Sequence, residues 1–180
     1  MIDADLLRGI AAKLAATEPE EVLLRVPSGR LALGDPDALP DCALLDRRVP
    51  AGSHAVSIHR SDEDFDASPT VGIDAVEVRF SSAPVVRWVE AKSEIGASLF
   101  SDDLIAFCVG EAAALEDDAV AEQTRQVLED CMVDGSGFAG AERALVVYVG
   151  EVAISHHLYW GLDEGGAPVQ LLAVFDYPGR

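Results

Sequence analysis

The stretch HHLYWGLDEGGAPVQLLAVFD, residues 156–176, decides the fold class because it predicts two β-strands joined by a tight turn. Neighbouring side chains on a strand point to opposite faces, so His157 and Tyr159 share one face and His156 lies on the other. The segment LDEGG supplies the turn, since Asp163 can accept hydrogen bonds from backbone amides and glycine tolerates positive φ angles. The sequence therefore predicts a β-hairpin built from this stretch.

Further strands are predicted where alternating or continuous apolar residues are bounded by glycine, proline and polar turns. They cover residues 21–26, 30–33, 54–60, 73–80, 85–91, 144–150 and 152–160. The segment 85–91 carries apolar residues at both parities, which predicts burial on both faces. Gly150 and Glu151 fit a two-residue turn, so the strands on either side of it are expected to pair within a C-terminal meander.

Two main helices complete the pattern. A stripe of apolar residues predicts a helix over residues 4–16, and residues 118–132 carry the clearest helical spacing in the chain. Cys108 and Cys131 are expected to lie in apolar helical surroundings as small core residues. The glycine-rich segment 134–140 is expected to be a loop, and it lacks the GK[ST] ending of a phosphate-binding loop. These elements predict an α+β fold, a largely antiparallel β-sheet or sandwich of short strands that carries both helices.

The charge balance of the 180 residues indicates the class of partner. Thirteen basic residues face 32 acidic ones, which gives a formal net charge of −19 in what is expected to be a single domain, 1–180. Such a field repels nucleic acid and anionic membranes, so neither is expected as a partner, and it speeds encounter with a basic protein. The opening residues lack the basic region of a signal peptide, and no apolar run approaches membrane-spanning length, so a cytoplasmic protein is expected.

Motifs for metals, cofactors and nucleophiles are missing from the sequence. The three cysteines are widely spaced and form no CxxC pair, and the four histidines show no HxH or HExxH spacing. A GxSxG nucleophile motif is also missing. We therefore expect no cofactor, no metal and no catalytic residue, and the interpretation leans towards a protein without enzymatic activity.

Five residues remain as candidates for binding. Trp88 and Glu90 share one strand face, and a tryptophan beside a carboxylate can bind a basic group, although tryptophan is also common in cores with its N–H hydrogen-bonded. His157 and Tyr159 form a polar pair that either faces solvent or lines a pocket. Asp163 either organises the turn or lies at the mouth of a binding surface.

Four stretches occur in a characteristic order: SGRLALGDP (28–36), VPAGSHAV (49–56), VEVRFSSAPVVRWVEA (76–91) and YWGLDEGGAPVQLLAVFD (159–176). Together they resemble the domain of unknown function 4241 family, which is found in bacterial proteins, and the resemblance covers residues 28–176. Three places depart from the family pattern. The family's glycine-rich, acidic approach to the Tyr-Trp segment is here GEVAISHHLYW, residues 150–160. The segment 94–96 reads Glu-Ile-Gly where the family often has an Asp-Ser-Gly-like triplet, and Phe175 precedes Asp176. The resemblance implies a fold and a topology and carries no particular activity.

Three hypotheses of function follow from the sequence. The first is an acidic, non-enzymatic binding module, for example an immunity-type protein that masks a basic toxin domain. The alternative is a hydrolase or small-ligand protein whose site near the C-terminal hairpin gathers His157, Tyr159, Asp163 and Glu90. The third is an oligomerising module, because exposed edge strands can pair with another chain.

Overall fold

Two antiparallel β-sheets form the frame of the fold in the computed structural model, which describes residues 20–60, 73–95, 99, 106–149 and 155–176. Within these ranges the strands are β1 Glu20–Val26, β2 Arg30–Gly34, β3 Cys42–Arg48, β4 Gly52–Arg60, β5 Ile73–Arg79, β6 Arg87–Glu90, β7 Ala106–Glu111, β8 Ser136–Ala139, β9 Ala144–Tyr148, β10 Ser155–Leu162 and β11 Pro168–Asp176. The helices are α1 Ala112–Leu115 and α2 Asp118–Asp134. The expected α+β class is confirmed at this level, and the predicted helix over residues 4–16 lies outside the described residues.

The hairpin of β10 and β11 lies inside the larger sheet, as the opening stretch predicts. The six-stranded sheet has the order β1-β4-β5-β11-β10-β6, and the five-stranded sheet has the order β3-β2-β7-β9-β8. Tyr159 is paired with Leu172 across the hairpin. On its other side, β10 pairs with β6, which places Tyr159 opposite Glu90. The hairpin therefore lies between the interior strand β5 and the edge strand β6 of the six-stranded sheet.

The main core lies between the two sheets, where alternate residues of each strand point inwards. Trp160 and Phe175 from the six-stranded sheet and Phe107 from the five-stranded sheet are almost completely buried there. The ring centroids of Phe107 and Phe175 lie 5.4 Å apart. Burying each such side chain stabilises the fold by roughly 1.5–3 kcal/mol, so this layer holds the sandwich together.

Helices α1 and α2 cover the other face of the five-stranded sheet. Asp117 caps α2 because its Oδ1 accepts hydrogen bonds from the amides of Ala119 and Val120. The helix ends at Gly135, whose φ of 82° favours glycine and whose amide donates to the carbonyl of Cys131. The prediction of a helix over residues 118–132 is confirmed. No helix in the described ranges is long and apolar enough to cross a membrane.

The sequence predicts that the strands before and after Gly150 and Glu151 pair with each other, and this prediction is wrong. Strand β9 pairs with β7 and β8, whereas β10 pairs with β11 and β6, so the two strands belong to different sheets. A turn signal predicts that the chain reverses, and it does not specify the sheet to which the next strand belongs. The C-terminal meander is therefore limited to β10 and β11.

Three local predictions are also corrected by the structure. Cys108 lies in strand β7 and not in a helix, and residues 136–139 of the expected loop form strand β8, while Cys131 does lie in α2. The segment 85–91 is not buried on both faces, because β6 is an edge strand whose Arg87 and Glu90 are exposed. Its apolar residues at both parities reflect packing of Trp88 on the outer face of the sheet.

Candidate functional site

Four of the five candidate residues lie on one face of the β10–β6 pair. The register places Tyr159 opposite Glu90 and Gly161 opposite Trp88. His157 precedes Tyr159 by two residues and therefore shares its face. This is the outer face of the six-stranded sheet, because Trp160 between them points into the core between the sheets.

Trp88 is held in place by a close fit over a glycine. A Cβ atom built on Gly161 would lie 3.1 Å from Cζ3 of Trp88 and 2.8 Å from Cγ2 of Val85, so glycine leaves the room that the indole occupies. Trp88 packs against a small buried cluster on this face, formed by Ala75, Tyr159, Leu172 and Val174. The indole is half-buried, and its N–H makes no hydrogen bond to the described part of the chain.

Tyr159 and His157 form a packed pair and not an open pocket. Their rings stack with centroids 6.0 Å apart and an interplanar angle of 17°. Only 6% of Tyr159 is exposed, so most of its ring is unavailable to a ligand. The pair supports the cluster beneath Trp88, and His157 is half-buried at its margin.

Glu90 presents an exposed carboxylate next to this aromatic cluster. Four glutamates of the described chain form ion pairs, namely Glu77 with Arg79, Glu94 with Arg30, Glu111 with Arg143 and Glu122 with Arg125, whereas others such as Glu116, Glu129 and Glu142 do not. Glu90 has no basic partner in the same ranges. Its carboxylate and the indole two residues earlier form a surface, the Trp88–Glu90 surface, that suits a basic side chain.

Asp163 does not belong to this surface. Its Oδ1 accepts from the amide of Ala167 at 2.9 Å, and its carbonyl accepts from the amide of Gly166 at 3.0 Å. Gly166 has a φ of 82°, as the turn requires. Asp163 comes four positions after Tyr159 and just beyond the end of β10, a distance of about 13 Å along an extended chain. The structure therefore gives Asp163 a role in the turn and does not gather the hydrolase-type cluster in one cleft.

A second concave region lies at the junction of β2 and β3, and the sequence reasoning missed it. The cleft has a volume of about 450 Å³, and its lining includes Asp35, Asp41, Cys42 and Glu116. Burial, followed by the charges of Glu116 and Asp41, raises the pKa of the Cys42 thiol. The thiol therefore stays protonated near neutral pH, which makes it a poor nucleophile and a poor metal ligand.

Nothing in the local sequence could have revealed this cleft. Glu116 comes from the end of α1, more than 70 positions after Cys42, and only the pairing of β2 with both β3 and β7 brings the segments together. Within the described ranges, no group of three His, Cys, Asp or Glu side chains is arranged to hold a metal ion. His54 is buried and its Nε2 lies 2.8 Å from the carbonyl oxygen of Pro50, which is a structural contact.

Comparisons with known proteins complete the description of the site. No protein-family model matches the chain, and neither the curated proteins nor the solved structures contain a match. The resemblance to the domain of unknown function 4241 family therefore stays a prediction, and the arguments about function rest on the geometry of the chain itself.

Proposed function

We propose that this protein is a non-enzymatic binding module that engages a basic protein partner through the Trp88–Glu90 surface. One observation carries the proposal. Glu90 is an exposed carboxylate without a basic partner in the described chain, and it shares a strand face with the half-buried Trp88 two residues earlier. A lysine or arginine side chain laid between them would contact a negative charge and an aromatic face together.

Each contact that a basic side chain could make at the Trp88–Glu90 surface is weak, and the negative electrostatic field of the whole chain adds to the attraction. An exposed ion pair contributes about 0.2–1 kcal/mol, and an exposed cation–π contact contributes about 0.5–1 kcal/mol. The formal charge of −19 raises the local concentration of cationic partners and accelerates encounter. The surface therefore acts as the specific contact within a generally attractive field.

The arrangement of reactive groups supports binding over catalysis. Asp163 is engaged by the amide of Ala167 in the turn, Tyr159 is buried, and the raised pKa of Cys42 leaves its thiol protonated. A general base or nucleophile needs a partner within hydrogen-bonding reach of a substrate atom. These groups are dispersed over the turn, the sheet face and the distant cleft.

A calorimetric titration with octalysine at low ionic strength tests the proposal. The Glu90→Gln variant should bind about threefold more weakly than the wild type, because it loses one exposed ion pair worth roughly 0.2–1 kcal/mol. Glu129→Gln is the matched control, since Glu129 is an exposed residue of α2 and the substitution makes the same change in net charge. Equal weakening in both variants would mean that octalysine senses only the overall charge, and the proposed surface would be rejected.

A small-ligand protein is the second candidate, and the cleft at β2 and β3 is the observation that favours it. Its volume of about 450 Å³ is in the range of small-molecule sites, and its carboxylates favour a cationic ligand. Titration with spermidine tests this candidate. Saturable binding that Asp41→Asn weakens and Glu129→Gln leaves unchanged would support it, and binding that responds equally to both would contradict it.

A further inference from the structure

The outer face of the six-stranded sheet is buried at its centre. Leu172 is completely buried there, and Ala75 and Val174 are each 2% exposed. Glu77 and Gln170 share this face by register, and they are buried as well. Side chains on a bare face of an antiparallel sheet stay in contact with water, and polar ones are mostly exposed. Another part of the protein therefore covers this face.

Within the described ranges, no element supplies that cover. Helices α1 and α2 pack against strands of the five-stranded sheet. The five-stranded sheet itself faces the opposite, inner side of the six-stranded sheet, where the two sheets enclose the main core. The cover consequently comes from residues outside the described ranges.

Most segments outside the described ranges do not suit this role. Residues 96–98, 100–105, 150–154 and 177–180 are each at most six residues long, which is less than two turns of helix. Residues 61–72 carry four acidic side chains and no basic one, so they would add negative charge beside Glu77. Residues 1–19 are longer, and they contain the apolar stripe that predicts a helix over residues 4–16.

We propose that the N-terminal segment, residues 4–16, docks as an amphipathic helix on the outer face of the six-stranded sheet. The side chains that would meet the sheet are those of the stripe, namely Leu6, Leu7, Ile10, Ala11 and Leu14. Such a helix is about 20 Å long and about 10 Å wide. The buried centre of the face spans β5, β11 and β10, about 10 Å between the outer two strands, so one helix is enough to cover it.

The chain can reach this position from the edge of the sheet. Strand β1 begins at Glu20, so residues 17–19 connect the segment to it. The four Cα steps from residue 16 to Glu20 span at most about 14 Å. A helix that ends above the neighbouring strand β4 needs about 11 Å, because β4 lies about 5 Å to the side and packed layers are about 10 Å apart. From there the helix can run over β5, β11 and β10.

Charge also favours this segment as the occupant. Its Arg8 and Lys13 against Asp5 give a net charge of +1, in a chain whose formal net charge is −19. A segment with an excess of positive charge suits a face that contains Glu77 better than the acidic segment 61–72 does. Docking leaves the Trp88–Glu90 surface open, since Glu90 lies on the edge strand and is exposed. The inference therefore goes beyond the proposed function and does not depend on it.

Alkylation of the full-length Val174→Cys variant with iodoacetamide tests the inference. Position 174 is covered, so a thiol there should react slowly. Adding Ile10→Asp puts a charge in the middle of the stripe, which should undock the segment and speed labelling of residue 174 by about tenfold or more. Ala12→Asp is the matched control, because residue 12 lies on the opposite side of the helix and the added charge is the same. This control should leave the labelling rate unchanged.

Mass spectrometry of the labelled peptides separates undocking from unfolding. Cys131 is 1% exposed in α2, on the far side of the protein, and it should stay unlabelled in every variant. If Ile10→Asp unfolds the chain, labelling of Cys131 reveals it. The milder Ile10→Ala then takes its place and should speed labelling of residue 174 by about threefold or more.

Three results would overturn the inference. The first is equal labelling of residue 174 in the Ile10→Asp and Ala12→Asp variants, or in Ile10→Ala and the parent where the milder variant is used. The second is acceleration by Phe65→Asp and not by the change at Ile10, which would assign the cover to residues 61–72. The third is labelling that slows as protein concentration rises, which would assign the cover to a second copy of the chain.

Discussion

The indole Nε1 of Trp160 donates a hydrogen bond of 2.8 Å to Oδ1 of Asp46, and this bond joins the two sheets at the side where β6 lies. Trp160 is completely buried in the six-stranded sheet, and Asp46 belongs to β3 of the five-stranded sheet. The same carboxylate oxygen accepts from the amide of Lys92, just after β6. One side chain thus ties the candidate binding strand to the opposite sheet.

Replacing Asp46 by alanine should destabilise the protein by about 1–3 kcal/mol. The substitution leaves the buried N–H of Trp160 without its acceptor, and an unsatisfied buried donor costs about that much. Urea unfolding followed by tryptophan fluorescence measures the change. Asp130→Ala, at an exposed position of α2, serves as the control and should change stability by less than about 0.5 kcal/mol. Equal stability of the two variants would show that the bond does not join the sheets energetically.

Gly161→Ala should disturb the Trp88–Glu90 surface, because Gly161 lies directly against Trp88. The new Cβ would lie 2.8 Å from Cγ2 of Val85 and 3.1 Å from Cζ3 of Trp88, so Val85 must shift and the indole must give by a few tenths of an ångström, at a cost of about 1–3 kcal/mol. Octalysine affinity should fall together with unfolding free energy. Gly165→Ala is the matched control, because a Cβ there meets only Oδ1 of Asp163 at 3.3 Å. If Gly161→Ala behaves like this control, the indole is not held by close packing.

Stability should fall in acid partly because of Glu111. Burial raises the pKa of this carboxyl, but hydrogen bonds from Ser28 and Arg143, the charge of Arg143 and the amide of Ala114 outweigh it and hold the pKa below its ordinary value. A depressed folded-state pKa gives stability that is present above the unfolded-state pKa and is lost as pH falls through the folded-state value.

The Glu111→Gln variant should therefore lose this contribution at neutral pH and show a shallower decline of unfolding free energy on acidification. Its cost at pH 7 should be about 1–3 kcal/mol, the range for a lost hydrogen bond to a charged group, because Glu111 is buried whereas Arg143 is about one-third exposed and stays partly solvated. Urea unfolding at neutral and acidic pH measures both quantities. Glu129→Gln should leave the pH profile unchanged, and parallel profiles for wild type and Glu111→Gln would contradict the assignment.

The rate at which Cys42 is alkylated should depend on the negative charges that line the cleft. Burial, Glu116 and Asp41 raise the thiol pKa, so iodoacetamide should react slowly with the folded protein at mildly alkaline pH. Glu116→Gln should speed the reaction about twofold, since less of the field opposes thiolate formation. Mass spectrometry of the modified peptide follows the rate, and Asp37→Asn is the control. Faster labelling in the control than in Glu116→Gln would contradict this account.

The fold class could be read from the sequence because local signals dominate there. Alternation in the β10–β11 stretch and the Asp163 turn predicts a hairpin that the structure contains, and residues 118–132 predict α2. The assignment of strands to sheets could not be read in the same way. Strand β3 has no clean alternation, and the chain after β9 changes sheets, which depends on packing and not on turn residues.

Strand parity alone predicts which of the candidate residues share a strand face. Trp88 and Glu90 share a face by spacing, as do His157 and Tyr159. The sequence could not show that the two strands are neighbours, because more than 60 residues separate them. It also could not tell which tryptophan has a hydrogen-bonded N–H, and Trp160 is the one that does.

Chemical-shift mapping with octalysine tests the central claim most directly. On a ¹⁵N-labelled protein at low ionic strength, the account predicts that the largest shifts occur at the indole N–H of Trp88 and at the amides of β6. The same experiment on Glu90→Gln should show reduced shifts at these positions. Shifts spread evenly over the acidic residues of α2, with those of β6 unaffected, would contradict the claim that the Trp88–Glu90 surface binds the basic partner.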